Sequence, residues 1–231
     1  MNGFTIRLQP RWSRYYPADY EKGSYKYFRN VIKPGDVVLD VGAHIGVYTV
    51  PFSELVGPAG KVYSFEPTPS TYKIFLKTIH LNGCSNVFPL NAAVAEKNGE
   101  IRFNLTNADG KVSNANSIVK LERTVASITV KMVSIDNFRK EHSIKVNVAK
   151  IDVEGAEYLV LIGGKNMFLE DRPCGILALH PENIKKFGHS LKQIWDCLME
   201  YKLIITRDGV EISEQSFCSQ LLLFDVEFKS K

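Results

Sequence analysis

Apolar, strand-like runs alternate with segments of helical periodicity along most of this chain, and the alternation restricts the folds that it can adopt. Segments 46–55, 70–81 and 156–163 carry apolar residues at helical spacing. Five runs around them have the character of buried strands: VVLDV (37–41), KVYSF (61–65), NVFPL (86–90), NVAKIDV (147–153) and GILALH (175–180). This order predicts an α/β fold, in which a parallel sheet is covered by helices on both faces.

Residues 99–138 depart from the alternation. They contain two strand-like runs, EIRFNL (100–105) and SITVKMVSI (127–135), separated by the polar segment NADGKVSNAN (107–116). Two such runs joined by a polar connection are typical of paired strands. We therefore predict a β-excursion that is inserted before the fourth strand of the core.

The two ends of the chain carry signals of their own. After a predicted helix at 191–201, the runs KLIITR (202–207) and SQLLLFDVEF (219–228) predict a closing, hairpin-like pair of strands. The segment before the first strand is dense in tyrosine and arginine and predicts a packed cap. We thus expect a cap at 1–30 and one domain at 31–231.

Composition and charge exclude several classes of protein. With 231 residues, 45% of them hydrophobic, the chain can bury the core of one large domain. A net charge of +4 gives little attraction to nucleic acid or to an anionic membrane, so we expect neither as a partner. The four cysteines form no CxxC pair, which argues against a zinc ribbon or a disulfide scaffold. No run of about 18 apolar residues and no signal-peptide core is present, which predicts a cytoplasmic protein.

The stretch VVLDVGAHIGVYTV (37–50) interrupts a buried strand with Asp40 and two glycines. In an open parallel sheet, ligands bind at the carboxyl ends of the strands, and glycines in the first strand-to-helix turn let a ligand approach the backbone. Gly42 and Gly46 bracket such a turn, but their spacing is not the GxGxxG of dinucleotide-binding folds. Asp40 suits a cationic ligand group; alternatively, it caps the next helix and the glycines only turn the chain.

The second strand supplies a further ligand group. Glu66 ends it, in YSFEP, at about the 20-residue distance from the glycines at which a ribose-binding acid is expected. A glutamate can accept hydrogen bonds from both ribose hydroxyls, and Pro67 stops the strand behind it. Glu66 is therefore a predicted cofactor-binding residue.

Three motifs carry a family resemblance: DVGAHIG (40–46), SFEP (64–67) and, most specific of the three, KIDVEGAE (150–157). With them, the chain resembles the S-adenosylmethionine-dependent methyltransferases of the FkbM family, over about residues 19 to 184. The family's usual asparagine in the first motif is here His44. This histidine either points into the cofactor site or hydrogen-bonds the backbone.

The resemblance implies a Rossmann-like class I methyltransferase fold, with a doubly wound, mostly parallel seven-stranded sheet of strand order 3-2-1-4-5-7-6. It also implies S-adenosylmethionine as the cofactor. The acceptor would be a hydroxyl oxygen of a sugar, a polyketide or another small natural product.

The same resemblance assigns residues to the parts of the cofactor. Gly42, Ala43 and Gly46 would border the methionine part, with Asp40 near its amino group. Glu66 would hold the ribose. The segment LNAAV (90–94) would lie beside the adenine, and its candidate contacts are Asn91 and Ala92.

Methyl transfer to a hydroxyl needs an acceptor oxygen in line with the methyl group and a group that takes the proton. Asp152 and Glu154 follow the fourth core strand, and His180 ends the fifth. We expect Asp152 beside the transferring methyl group and Glu154 or His180 as the base, although a histidine before proline also suits a structural role. Lys150 either pairs with Glu154 or Glu157 or takes part in catalysis.

Asp152, Glu154 and His180 could also hold a divalent cation that lowers the pKa of the acceptor. Their spacing matches no recognised metal motif, so we assign no metal ligand and prefer a reaction without a metal. Tyr20 and Glu21 are candidates for a lid over the cofactor or acceptor. The cluster around them, RWSRYYPADY (11–20), is alternatively a homodimer surface or a plain packed cap.

Two other classes of function stay open. A nucleic-acid methyltransferase would want a concentrated basic face, which the net charge of +4 disfavours. The other alternative is a noncatalytic cofactor-binding module or a nicotinamide enzyme. The intact KIDVEGAE motif argues against the first, and the absence of GxGxxG argues against the second.

Overall fold

The computed structural model describes residues 1–105 and 126–231. The polar segment of the predicted excursion, 107–116, lies outside these residues. In the described part, the helices are α1 (Pro10–Ser13), α2 (Lys22–Val31), α3 (Thr49–Val56), α4 (Pro69–Leu81), α5 (Ile135–His142), α6 (Glu157–Gly163), α7 (Pro181–Lys186), α8 (Leu191–Glu200) and α9 (Glu214–Cys218), with a short π-helix at Met167–Asp171. Of these described helices, none has the length and apolar character needed to cross a bilayer.

The described strands are β1 (Val37–Val41), β2 (Lys61–Phe65), β3 (Val87–Leu90), β4 (Ala93–Val94), β5 (Gly99–Leu105), β6 (Ala126–Val133), β7 (Val148–Ile151), β8 (Cys174–Leu179), β9 (Leu203–Arg207), β10 (Val210–Glu211) and β11 (Phe224–Ser230). The central sheet has the order β3-β2-β1-β7-β8-β11-β9-β10. Strands β3 to β8 in this order are parallel, and β11 is antiparallel to both of its neighbours. The predicted order of seven strands is confirmed, with β10 as an additional edge strand.

Strand β10 is joined to β9 by the turn Asp208–Gly209, in which both residues have a positive φ, 52° and 78°. Asp-Gly is a strong hairpin signal because both residues tolerate this conformation. The sequence therefore contained a signal for β10. A strand of two residues is too short to show an alternation of apolar and polar residues, so this pattern could not predict β10.

The central strands are mostly apolar because both faces of the sheet are covered. Successive side chains of a strand point to opposite faces. Leu39 and Val41 belong to the core beneath α5, α6 and α8, whereas Val38 belongs to the core beneath α2, α3 and α4. The doubly wound arrangement predicted from the sequence is confirmed.

The β-excursion forms a second sheet of order β4-β6-β5 in the described residues, with β5 and β6 antiparallel. The predicted second strand was too long at its end. Ser134 caps a helix by accepting a hydrogen bond from the backbone N–H of Asn137, and α5 begins at Ile135. A serine followed by Asp136 is a helix-start signal that the strand prediction overlooked.

The final strand begins at Phe224 and not at residue 219 as predicted. Residues 214–218 form α9, which is capped by the side chain of Ser213. The leucines between α9 and β11, at 221–223, are exposed to 82%, 81% and 62%. The prediction relied on the apolar run alone and therefore wrongly assigned this connection to a strand.

The segment before β1 packs over α3. In α2, Tyr25 and Phe28 are both buried, and the ring of Phe28 lies 4.7 Å from that of Phe52. The hydroxyl of Tyr25 donates to the carbonyl oxygen of Val47, 2.7 Å away. Helix α2 extends across residue 30, and the division into a cap and a domain at that residue stays a prediction.

Candidate active site

A cavity opens at the edge of the sheet where β1, β2, β7 and β8 end. Antiparallel β11 begins at the same edge, which brings Asp225 to the cavity wall. Most of the predicted site residues line this cavity: Tyr20, Glu21, Gly42, Ala43, His44, Glu66, Ala92, Asp152, Glu154 and His180. Asp40, Gly46 and Asn91 are not among the residues that line it. The roles of all these residues toward a ligand stay predictions.

The first turn requires both of its glycines, for different reasons. Gly42 has a φ of 85°, and a Cβ there would lie 1.8 Å from the carbonyl oxygen of Asp152. Gly46 has a φ of 90°, and a Cβ there would lie 2.8 Å from the ring of Phe75 in α4. Gly42 thus lets the turn approach the end of β7, whereas Gly46 lets it pack on a helix.

Glu66 is buried at the cavity wall, where it is held by the backbone. One carboxylate oxygen accepts from the N–H of His44 at 3.1 Å, and the other accepts from the N–H of Thr68 at 2.8 Å. Burial raises the pKa of this carboxyl to about 7, although the two N–H groups oppose the shift. Asn91 braces the same loop by donating to the carbonyl oxygens of Glu66 and Pro67.

Lys150 lies between two carboxylates under the first turn. Its Nζ is 3.3 Å from Asp152 Oδ2 and 3.9 Å from Asp40 Oδ1. The expected pairing with Glu154 or Glu157 is therefore wrong. Burial disfavours the charged amine, but Asp152 and Asp40 outweigh this effect and raise its pKa.

Asp40 is fully buried below the cavity. Its Oδ2 accepts from the hydroxyl of Thr49 in α3 at 2.5 Å. Burial raises the pKa of this carboxyl, and the charge of Lys150 opposes the rise. Asp40 thus links β1 to the start of α3, and its predicted contact with a cofactor amino group stays a prediction.

Asp152, Glu154 and His180 meet on the far wall of the cavity. His180 Nε2 lies 3.5 Å from Glu154 Oε1 and 3.7 Å from Asp152 Oδ1. Its other ring nitrogen, Nδ1, lies 2.8 Å from Oε1 of the fully buried Glu157. The strand ends of β7 and β8 therefore bring together the three side chains that the sequence predicts to be catalytic.

The carboxylates around His180 hold it as a cation. Burial alone would lower its pKa, but Glu154 and Glu157 outweigh this effect and raise the pKa to about 11. Burial likewise opposes ionisation of Asp152, yet Lys150 and His180 lower the pKa of its carboxyl. An imidazolium cannot take a proton at neutral pH, which favours a carboxylate as the proton acceptor.

The same three side chains have the composition of a metal site. One ligand atom each from Asp152, Glu154 and His180 lie within 4.8 Å of one another. Two carboxylates and an imidazole suit a divalent transition cation. The imidazolium of His180 supplies positive charge to the same carboxylates, so the geometry also has an explanation without a metal.

The segment before β1 covers the cavity through polar contacts of its aromatic side chains. The hydroxyl of Tyr16 lies 3.0 Å from Nδ1 of His44, and the hydroxyl of Tyr48 donates to Glu21 at 2.5 Å. Burial lowers the pKa of His44 to about 4, so this ring is neutral. His44 lines the cavity, and among the described residues its ring contacts the Tyr16 hydroxyl and not the backbone, so the expected hydrogen bond between this ring and the backbone is wrong.

Sequence reasoning assigned no site role to several residues of the wall and its support, among them Tyr16, Glu157, Leu223 and Asp225. Glu157 ends the KIDVEGAE motif, so the motif itself contained the signal. Asp225 was assigned to the interior of an overlong strand. Tyr16 is one of four aromatic residues in the segment 11–20, and nothing in the sequence distinguishes it from the others.

The fold and the position of the cavity define a class of protein. The Streptococcus mutans protein SMU.1697c, solved with SAH, has a TM-score of 0.54 at 11% identity, over 91% of this chain and 97% of that chain. An Aquifex aeolicus S-adenosylmethionine-dependent methyltransferase has a TM-score of 0.52 at 14% identity, over 97% and 100%. The FkbM methyltransferase of Methylobacillus flagellatus has a TM-score of 0.52 at 12% identity, over 91% and 52%. The chain has the Rossmann-like fold of class I methyltransferases.

The sequence then identifies the family. The model of the methyltransferase FkbM domain matches residues 40–203. This chain belongs to the FkbM methyltransferase family, as its motifs predicted.

Two curated relatives extend the comparison. Hexuronic acid methyltransferase AglP of Haloferax volcanii is 31% identical over 169 residues, which cover 73% of this chain and 63% of that protein. Methyltransferase 1 of Beauveria bassiana is 25% identical over 143 residues, which cover 54% and 57%. The chain matches less than two thirds of the length of either relative.

Proposed function

We propose that this chain transfers the methyl group of S-adenosylmethionine to a hydroxyl oxygen of a small molecule, in first place a sugar and otherwise a polyketide or similar natural product. One observation carries the proposal. Glu66 and the group of Asp152, Glu154 and His180 face the same cavity from the carboxyl ends of different strands. A ribose-binding acid and a proton-accepting group are thus combined at one site.

The residues of the first turn fit the cofactor. Glu66 keeps lone pairs beyond the two that its backbone contacts use, so its carboxylate can accept hydrogen bonds from both ribose hydroxyls. Gly42 and Ala43 leave the backbone open to the cavity, where they would border the methionine part. When bound, S-adenosylmethionine supplies an electrophilic methyl group on a positively charged sulfur, which keeps the electrons of the broken carbon–sulfur bond.

The far wall of the cavity, formed by Asp152, Glu154 and His180, would bind and activate the acceptor. Asp152 would orient the hydroxyl, and Glu154 would take its proton as the oxygen–carbon bond forms. His180 holds both carboxylates through Nε2. Positioning of the acceptor oxygen supplies much of the acceleration in such a transfer, because the two reactants are already oriented.

A sugar acceptor is supported by AglP, which is named for a hexuronic acid. The polar lining of the cavity also supports it, since Glu21 and Asp225 add hydrogen-bond acceptors for hydroxyl groups near Asp152. Cations in the described lining are already matched by carboxylates, since Lys150 pairs with Asp152 and His180 with Glu154. A neutral sugar is therefore favoured over one with a carboxylate of its own.

Two measurements test the proposal. Calorimetry should detect binding of S-adenosylmethionine and none of NAD; binding of NAD alone would refute the cofactor assignment. Labelled methyl transfer should then be measured with methyl hexosides, hexuronides, simple alcohols and an RNA transcript. Labelling of a neutral hexoside in wild type, lost in Asp152→Asn, is the expected result. Labelling of RNA alone would replace the proposal with a nucleic-acid methyltransferase.

A further inference from the structure

Glu157 is a buried carboxylate that the proposed reaction leaves without a role. It begins α6, and no part of it is exposed. Its Oε1 accepts from the backbone N–H of Gly155 at 2.9 Å and from His180 Nδ1 at 2.8 Å. Burial of a charged group is costly, and a neutral side chain can serve the start of a helix. The contact with His180 therefore explains why a charged residue occupies this buried position.

The ring of His180 spans from Glu157 to the cavity. The two nitrogens of an imidazole lie on different edges of the ring, so a hydrogen bond at one fixes the direction of the other. Because Nδ1 donates to Glu157, Nε2 points to Asp152 and Glu154 at 3.7 and 3.5 Å. If the ring were flipped about its Cβ–Cγ bond, Nε2 would no longer point to Asp152 and Glu154.

The backbone of His180 is fixed as well. Its carbonyl oxygen accepts from the N–H of Ile184 at 2.9 Å, and Pro181 begins α7 directly after it. The side chain of His180 makes no capping bond to this helix. The carboxylates at the two nitrogens therefore set the rotation of the ring, and Glu157 fixes it from the Nδ1 side.

We propose that Glu157 is a positioning residue of methyl transfer, which holds His180 by Nδ1 so that Nε2 faces the two carboxylates at the acceptor. The inference rests on the proposed function, since it assumes that the acceptor hydroxyl lies beside Asp152 and Glu154. The arrangement follows the general logic by which a buried carboxylate orients a working histidine. Glu157 acts through His180 and touches neither reactant.

A double-mutant cycle of Glu157→Gln and His180→Gln tests this role. Glutamine keeps an acceptor for Nδ1 but removes the charge. Glu157→Gln should lower kcat about 100-fold, as expected for a misplaced group, and leave KM for S-adenosylmethionine nearly unchanged. In the His180→Gln background, the same change should have almost no further effect, because its target is already gone. Glu100→Gln, on an exposed strand position, is the matched control and should behave as wild type.

Other outcomes decide against the proposal. A kcat equal to that of wild type would overturn it, and so would equal losses in both backgrounds, since a purely structural role is additive. If Glu157→Gln does not fold, Glu157→Asp, which keeps the charge but shortens its reach, replaces it in the same cycle.

The orientation of the His180 ring can also be measured without following the reaction. Nitrogen-15 spectra should show a strongly hydrogen-bonded Nδ1–H of His180 in wild type and a weaker hydrogen bond in Glu157→Gln, whose acceptor is neutral. Absence of that signal from wild type would overturn the inference. Its presence in a protein that methylates no acceptor would instead leave the orientation standing and refute the proposed function.

Discussion

The first turn touches the end of β7 at one point, where a side-chain carbon at Gly42 would lie 1.8 Å from the carbonyl oxygen of Asp152. The cofactor turn and a predicted catalytic residue are therefore in direct backbone contact. A change of shape at one of them must move the other.

Gly42→Ala should reduce both stability and cofactor binding. Its positive φ costs a side chain about 1–2 kcal/mol, and the overlap with Asp152 adds to this cost. Urea unfolding and calorimetry with S-adenosylmethionine measure the two effects. Gly23→Ala is the control, since no atom lies within 4 Å of a Cβ in that position of α2, and it should be neutral or slightly stabilising. Equal stability of the two variants would contradict the close contact.

Affinity for S-adenosylmethionine should rise with pH through about 7, the raised pKa of Glu66. Only the ionised carboxylate accepts two ribose hydroxyls, so protonation below this pH weakens binding, by up to about tenfold per pH unit. Glu66→Gln should remove the dependence and cost about 1–3 kcal/mol of binding at higher pH.

The raised pKa of Glu66 also affects folding. The folded state binds the proton more tightly than the unfolded chain does, so stability should fall as the pH rises from about 4.5 to about 7. Thermal unfolding of wild type and Glu66→Gln across this range would detect the difference. A variant with the slope of wild type would show that Glu66 is not the titrating group.

Asp152→Asn should impair turnover more than binding. Asparagine keeps the size of the side chain but removes the charge that faces His180 and Lys150, so kcat should fall by about 100-fold or more. Asp208→Asn, in the exposed hairpin turn, is the control and should keep full activity because asparagine tolerates its positive φ. Wild-type turnover of Asp152→Asn would exclude the catalytic assignment.

Tyr16→Phe should loosen the cap over the cavity. The change removes the hydrogen bond to His44, which is worth about 1 kcal/mol, so KM should rise several-fold with little change in kcat. Tyr15→Phe, at a neighbouring tyrosine that is 56% exposed, should have no effect. Identical kinetics of the two variants would show that the contact does not govern access.

Removal of divalent cations should leave turnover intact. His180 already supplies positive charge to Asp152 and Glu154, and a metal would have to displace its proton first. Activity after dialysis against EDTA is the measurement. Loss of turnover that Mn²⁺ restores would make the three side chains a metal centre.

The fold was largely predictable because its signals are local and repeated. Strands such as Val37–Val41 carry apolar residues on both faces, and this property follows from their position between two helix layers. Short elements escaped prediction: β10 has two residues, and the leucines at 221–223 imitate a strand while lying exposed.

The site was predictable up to the identity of its residues but not their partners. Asp152, Glu154 and His180 follow strand ends, and the topology brings them together. Lys150 and Asp152 are two residues apart, a spacing that favours one face of a strand, and this signal was overlooked. The contact with Asp40 depends on the register between β1 and β7, which the sequence of one strand does not encode.

Lys150 couples three positions through charge, namely its own and those of Asp40 and Asp152. Its single positive charge is shared by Asp40 on β1 and Asp152 beyond β7, in a place where an unmatched charge is strongly unfavourable. Loss of the amine would leave two carboxylates facing each other across adjacent strands, and loss of either carboxylate would weaken the hold on the amine. Substitutions at these three positions are therefore expected to be coupled, so that the effect of a change at one of them depends on the residues at the other two.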